Sequence, residues 1–393
     1  MKSKMNFVKR RPVSILFSIG FLLTMLGSCS SENKTYPAEW IKFRDKKTGN
    51  EVWQITNNDS INEAPYFYVN SFTSDDRYVI FRSKRAGNWD MYRCDLTNGK
   101  ITRLTKEGIS DACILPDGEN MAFISGWKYY KMNVNTLKKT MILDFTGKLP
   151  SKPLFRPSIT NNGKYTIVYT RQDSKLGLYR VNLETGQILK VMERNGGSFS
   201  HQLINPGDQN LITYIPLPDT QDDMTLPMEK RPRTRIINVE KGTDDPFLIV
   251  PYGFRATHDS WSGMGNRYFF FEKTVPDWIP VSIASIDLEG NEYTKIYSSD
   301  SIKLGHGSAS GNLKWFICDG QEPNNNPLIL INIQDKKSKI ICWPDASIDP
   351  PSNVHVHPNF SVSGNFIVYT SDVAAKNKHQ VYVIPLKGIK DNW

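Results

Sequence analysis

From residue 38 onward the chain alternates short apolar runs with polar turns, and the alternation repeats. Ser71-Phe72-Thr73-Ser74-Asp75-Asp76 leads into Tyr78-Val79-Ile80-Phe81, then Asp90-Met91-Tyr92-Arg93, then the turn Asp95-Leu96-Thr97-Asn98-Gly99. The same order of turn, apolar run, break and second run starts again at Leu115-Pro116-Asp117-Gly118, Ile159-Thr160-Asn161-Asn162-Gly163, Asn205-Pro206-Gly207-Asp208, Trp261-Ser262-Gly263-Met264-Gly265, Ser308-Ala309-Ser310-Gly311 and Phe360-Ser361-Val362-Ser363-Gly364. The runs are rich in Val, Ile, Tyr and Phe and bounded by Gly, Asn, Asp or Pro, which marks strands. Helical periodicity is scarce.

Seven units of roughly 40–60 residues have the period of propeller blades. The pattern predicts an all-β fold, a seven-bladed β-propeller of four-stranded antiparallel blades over residues 38–393. The incomplete first segment, Trp40–Phe43 through Val52–Thr56, is expected to give the last blade an outer strand and close the ring. The regular period argues against two stacked β-domains. One insertion interrupts it: residues 216–232 hold four prolines and many charges, and read as a long loop of the fourth unit at the rim of one face.

Residues 1–28 read as a targeting segment. Lys2, Lys4, Lys9, Arg10 and Arg11 precede an apolar stretch from Val13 to Leu26 that is short for a spanning helix. The segment ends Leu26-Gly27-Ser28-Cys29, which resembles a bacterial lipobox and implies cleavage before Cys29 and lipidation of that cysteine. Residues 29–37 then read as a polar tether. The expectation is a cell-envelope lipoprotein, periplasmic or outer-membrane anchored, touching membrane through its lipid alone. The five leader cations account for most of the formal +9, leaving +4 on the rest. With no Lys/Arg run after the leader, that mild excess excludes a nucleic-acid footprint and suits an anionic small substrate. Cys94, Cys113, Cys318 and Cys342 show no C-x-x-C spacing and read as buried free thiols.

Six histidines are present, and five take equivalent places. His201, His258 and His306 each precede a unit's turn, as do His355 and His357 in Val354-His355-Val356-His357-Pro358. Each place is the start of a unit's first strand, the one that lines the channel of a propeller. Five imidazoles from four consecutive blades therefore converge at one end of the channel. On an extended segment His355 and His357 face the same side, and His306 completes a set of three that suits a transition metal. His379 falls outside the pattern and reads as a surface residue.

These residues carry a resemblance to the oligogalacturonate lyase family, extending from Phe43-Arg44-Asp45-Lys46-Lys47-Thr48-Gly49 to Val381-Tyr382-Val383. The motifs that match are His258-Asp259-Ser260-Trp261, an upstream strand arginine in Thr234-Arg235-Ile236-Ile237, His306 ahead of Cys318-Asp319-Gly320, and His355-Val356-His357-Pro358-Asn359-Phe360. The resemblance implies a seven-bladed propeller that cleaves short oligogalacturonides by metal-dependent β-elimination. It implies His258 as catalytic base, Arg235 assisting, and Mn²⁺ on His306, His355 and His357. His201 is expected to contact substrate, and Asp259 and Asp319 to orient imidazoles, although a turn role suits Asp319 better. The family's glutamine three residues before the first paired histidine is Ser352 here, followed by Asn353. The family's His-Glu-Gly-Pro stretch is replaced by Ile215-Pro216-Leu217-Pro218-Asp219.

The residue types fit that chemistry. Elimination takes the weakly acidic proton beside a carboxylate and expels a glycosidic oxygen. A cation on the carboxylate favours the enolate-like charge, an arginine can share it, and a neutral imidazole can take the proton. Three histidines and water also suit Zn²⁺, so a hydrolase is a chemical alternative. The competing class is a non-catalytic TolB-like periplasmic propeller that binds glycan or protein. It accounts for blades and anchor but not for the convergence of histidines.

Overall fold

The computed structural model describes residues 34–393 apart from residues 110, 222 and 392. The leader, Cys29 and the start of the tether lie outside the described residues. Residues 34–393 form one compact unit of seven antiparallel sheets, as the sevenfold repeat predicts. Among the described residues no helix is long and apolar enough to cross a membrane.

The sheets vary in width around four strands. The first blade orders Asn62–Glu63, Tyr78–Ser83, Asp90–Asp95 and Ile101–Arg103 from the channel outward. Thr35–Tyr36 adds a fifth strand beside Ile101–Arg103. Thr35–Tyr36 was expected within the tether. It joins the ring because the open edge of Ile101–Arg103 accepts its backbone, and Tyr36 packs against Tyr92 with ring centroids 6.1 Å apart. In the third blade three strands pair fully, and the innermost position is reduced to isolated bridges from Leu154 to Tyr169 and from Ile159 to Thr166.

Closure follows the sequence reading. Glu51–Gln54 pairs with Gln380–Pro385 through Trp53 with Val383 and Gln54 with Tyr382. Ile41–Arg44 adds outside it, so the first segment supplies two outer strands to the seventh blade. Val52 and Ile55 are fully buried, and the Ile55 amide donates to the Val381 carbonyl at 2.9 Å. Alternating apolar positions fill the spaces between neighbouring sheets. One cluster joins Trp315, Ile317, Leu328 and Leu330 of the sixth blade to Ile367, Tyr369 and Tyr382 of the seventh. Cys94, Cys113, Cys318 and Cys342 are free and buried, as expected.

The 216–232 insertion is a loop that folds inward. The strand before it runs on to Leu217, and one short turn at Met228–Lys230 breaks it. Gln221 and Arg231 are buried. The Gln221 side chain bonds the Ala256 amide at 2.8 Å and carbonyl at 3.1 Å, pinning the loop to the inner strand of the fifth blade, Phe254–Trp261.

Candidate metal and proton-transfer centre

One backbone device places the histidines. In the fourth blade Ser200 pairs with Ile215 and Leu203 with Thr213, so His201 and Gln202 together oppose one residue, Tyr214. In the fifth, His258 and Asp259 oppose Phe270 in the same way. In the sixth, Gly305 and His306 oppose Asp319. Each is a bulge in the innermost strand, and bulges re-aim side chains beside functional sites. His201, His258 and His357 hold left-handed φ values of 47°, 49° and 47°. Such values are uncommon for residues other than glycine and cluster at active sites. A Cβ at Gly305 would displace the Gln321 side chain.

The convergence read from the sequence is present. Ring centroids of His258 and His306 lie 4.2 Å apart, those of His306 and His357 4.2 Å, and those of His306 and His355 5.4 Å. Each of His306, His355 and His357 offers a nitrogen, and the three lie within 4.8 Å of one another. His357 Nε2 is buried with no hydrogen-bond partner. A buried imidazole nitrogen without a partner is costly unless something fills its place. An orphaned nitrogen in a compact three-imidazole set fits a divalent transition metal.

Two carboxylates fix the imidazoles. Asp319 lies on the strand Trp315–Gly320, fully buried, not in a turn. Its Oδ1 accepts the His306 amide at 2.6 Å and its Oδ2 lies 3.1 Å from His306 Nδ1. Burial pushes Asp319 up to about 7, against the opposing pull of the His306 and His357 amides. Asp259 is equally buried. Burial alone would raise it, but Arg233, His201, Tyr268 and Thr234 pull it down to about 2. His201 Nδ1 donates to the Asp259 carbonyl oxygen at 3.2 Å and sits 3.6 Å from Asp259 Oδ1.

Of the two arginines near the strand Thr234–Asn238, Arg235 pairs away from Asp259 and Arg233 pairs with it. Arg235 is bound to Asp244 at 2.9 Å on the outer strand pair and is partly exposed. Arg233, two residues earlier, reaches the histidines. Its guanidinium bridges Asp219 Oδ2 at 2.9 Å and Asp259 Oδ1 at 3.2 Å. Arg235 lies within the strand and turns to its outer neighbour, whereas Arg233 lies just before it and turns to Asp259 of the fifth blade. His379 departs from expectation. It is buried, with Nδ1 2.8 Å from Glu63 Oε1 and Nε2 3.0 Å from the Ser352 carbonyl. Ser352 is engaged elsewhere, its hydroxyl donating to Asp372 at 2.8 Å. Asn353 instead shares a pocket wall with His355 and His357.

Three groups carry no motif. Tyr66, Phe67 and Tyr68 of the first blade pack against the imidazoles. Tyr66 and His357 ring centroids are 4.5 Å apart, and Phe67 and His306 are 5.7 Å apart. The Tyr66 hydroxyl lies 3.2 Å from His201 Nε2. The signal for them was positional: an aromatic run just before a unit's turn, where other units carry histidine. Lys273 is buried over the Trp278 ring at 4.6 Å, and burial draws it down to about 8. Gln321 places its amide 3.0 Å from His306 Nδ1.

The electrostatics keep the base candidate neutral. Burial holds His258 well below the usual imidazole range, and the neighbouring His306, Lys273, His201 and Arg233 add to the effect. Burial does the same for His306 and His357. His258 Nδ1 is buried without a partner. The site thus offers a neutral imidazole beside a set of metal-ready nitrogens.

A family model described as oligogalacturonate lyase matches residues 31–151 of the chain. The oligogalacturonate lyase of Dickeya dadantii is 22% identical over 375 residues, covering 85% of this chain and 93% of the relative. The oligogalacturonide lyase of Pectobacterium atrosepticum is 22% identical over 380 residues, covering 86% and 95%. A solved oligogalacturonate lyase in complex with manganese superposes with a TM-score of 0.77 at 20% identity, covering 90% of this chain and 97% of the other. The resemblance read in the sequence therefore recurs in a family model, in whole-length relatives and in the fold.

Proposed function

We propose that this chain, a relative of oligogalacturonate lyases, is a carbon–oxygen lyase that cleaves short oligogalacturonides by β-elimination and leaves an unsaturated uronate. The observation that carries the reading is the juxtaposition of two sets in one channel end. His306, His355 and His357 offer nitrogens within 4.8 Å of one another, and His258 stands neutral beside them, its ring 4.2 Å from that of His306. A non-catalytic scaffold gives neither set a role.

His306, His355 and His357 would hold a divalent cation, Mn²⁺ by likeness to the manganese complex, with Zn²⁺ also suited to the donors. When bound, the cation supplies a positive charge that acidifies the proton beside a uronate carboxylate. Asp319 fixes the His306 ring, as carboxylates commonly do for metal-ligating histidines. His258 takes the proton, and its neutrality near pH 7 follows from burial and neighbouring cations. Arg233, in place of Arg235, helps hold His258 neutral and braces Asp259, which orients His201. His201 and the Tyr66 hydroxyl face substrate. Tyr66, Phe67 and Tyr68 pack against the imidazoles and limit water. The leader and Cys29 support a lipoprotein of the bacterial cell envelope, anchored by lipid only.

The test is ultraviolet absorbance of the protein beginning at Glu32 with digalacturonate and Mn²⁺, repeated with a chelator. A rise from the conjugated product that the chelator abolishes, and that His258→Ala lacks, is the expected result. No rise in metal-loaded protein with di- or trigalacturonate would overturn the reading.

A further inference from the structure

Two of the metal-ready histidines, His355 and His357, line a pocket that extends beyond the groups used above. The pocket is about 170 Å³ and lies between the inner ends of the seventh, first, second and third blades, lined by Tyr66, Tyr68, Arg82, Arg156, His355 and His357 among others. Sites for drug-sized ligands begin near ~300 Å³, so this one suits a single sugar ring. His201, His258 and His306 are not on its wall. The pocket therefore touches the cation-ready set without touching the proton-transfer candidate.

Two cations line the pocket, and they differ. Arg82 is committed: it pairs with Glu63 at 2.6 Å and stacks over Trp89 at 4.7 Å. Glu63 is committed in turn to His379. Arg156 is exposed and forms no ion pair among the described residues. Asp111 also lines the pocket and acts on Arg156, but it has an interaction of its own. The tyrosine rings offer flat apolar faces, and their hydroxyls, which burial keeps protonated, add no charge; that of Tyr66 is already turned to His201 Nε2.

We infer that this pocket is the subsite for the uronate ring next to the reacting one, and that Arg156 receives that ring's carboxylate. The inference rests on the lyase reading. A guanidinium fork matches a carboxylate in two parallel hydrogen bonds. Arg156 therefore selects a charged neighbour over a neutral one and contributes to binding, not to proton removal.

The experiment compares wild type, Arg156→Ala and Arg156→Lys on digalacturonate and on galactosyl-galacturonate, whose leaving ring is neutral. For digalacturonate we expect Arg156→Ala to raise KM about tenfold, a value reduced for an exposed guanidinium, with kcat little changed. Arg156→Lys should recover part of the loss. On galactosyl-galacturonate, wild type and Arg156→Ala should be nearly equal. Calorimetric titration of digalacturonate into His258→Ala protein, with and without Arg156→Ala, reads the same difference without turnover. Lys164→Ala, at an exposed position just before the strand Tyr165–Gln172 and absent from the pocket lining, controls for general loss of positive charge. Wild type that yields unsaturated product while Arg156→Ala leaves KM and affinity unchanged overturns the subsite alone. Equal losses on both disaccharides also overturn it. Wild type that yields no product overturns the lyase reading and the subsite with it.

Discussion

Asp319 grips His306 twice, accepting its amide at 2.6 Å through one oxygen and facing its Nδ1 at 3.1 Å through the other. The His357 amide also helps hold Asp319 down, so one buried carboxyl sits between the sixth-blade strand and the seventh-blade segment that carry the candidate ligands. Asp319→Asn keeps the shape and loses the charge. It should weaken Mn²⁺ binding about 10- to 100-fold, measured by titrating metal into stripped protein. Unchanged affinity would mean that Asp319 merely braces the backbone.

Lys273 places a buried charge near His258 and helps to lower that imidazole. Lys273→Met removes the charge, so the pKa of His258 should rise. Because the base works only when deprotonated, the acid limb of kcat/KM should move to higher pH. A pH–rate profile that keeps the wild-type acid limb would show that the lysine does not act on the base.

Arg233 and Arg235 should separate cleanly. Arg233→Ala strands Asp259, whose side chain is fully buried, and breaking a buried pair costs about 3–5 kcal/mol. The variant should lose thermal stability and most activity. Arg235→Ala removes a partly exposed pair worth about 0–1 kcal/mol and should be near wild type in both. The reverse ranking of the two in melting and turnover assays would restore Arg235 to the site.

Stability should carry a pH signature from the seam between the first and seventh blades. Burial alone would raise Glu63, but His379 and Arg82 bring it from 4.5 down to about 2. Its stabilisation is present above 4.5 and is lost as pH falls toward 2. Burial opposes the charge on His379, but the bond to Glu63 prevails and raises it above its ordinary 6.5. Its contribution is full below 6.5 and fades as pH rises through the raised value. The gap in melting temperature between wild type and His379→Ala should therefore be widest between pH 4.5 and 6.5. A gap independent of pH would reduce the histidine to packing.

The ring and its histidines were legible because both repeat. Once seven units are counted, His201, His258, His306 and the 355/357 pair fall at matching places, and a closed ring turns matching places into neighbours. What could not be read depends on depth and on single contacts. Arg233 and Arg235 are two residues apart, one just before and one within the strand Thr234–Asn238. Nothing local says which of them pairs with Asp259 of the next blade. His379 follows the polar run Lys376-Asn377-Lys378, which reads as surface. Burial comes from Glu63, more than three hundred residues away in the chain. Tyr66, Phe67 and Tyr68 look like core aromatics, and only their position ahead of a unit's turn hints at the channel.

The inner-strand bulge has a consequence for how such a ring changes its chemistry. Because the same kink recurs in the fourth, fifth and sixth blades, each of these blades presents a socket aimed at one common point. A substitution of the imidazole there swaps the tool in the socket and leaves the ladder on either side intact. The imidazoles are thus separable from folding in a way that the buried Asp259–Arg233 pair is not. A copy with its sockets blanked would still close, still melt as one body, and serve as the inert twin against which each installed side chain is weighed.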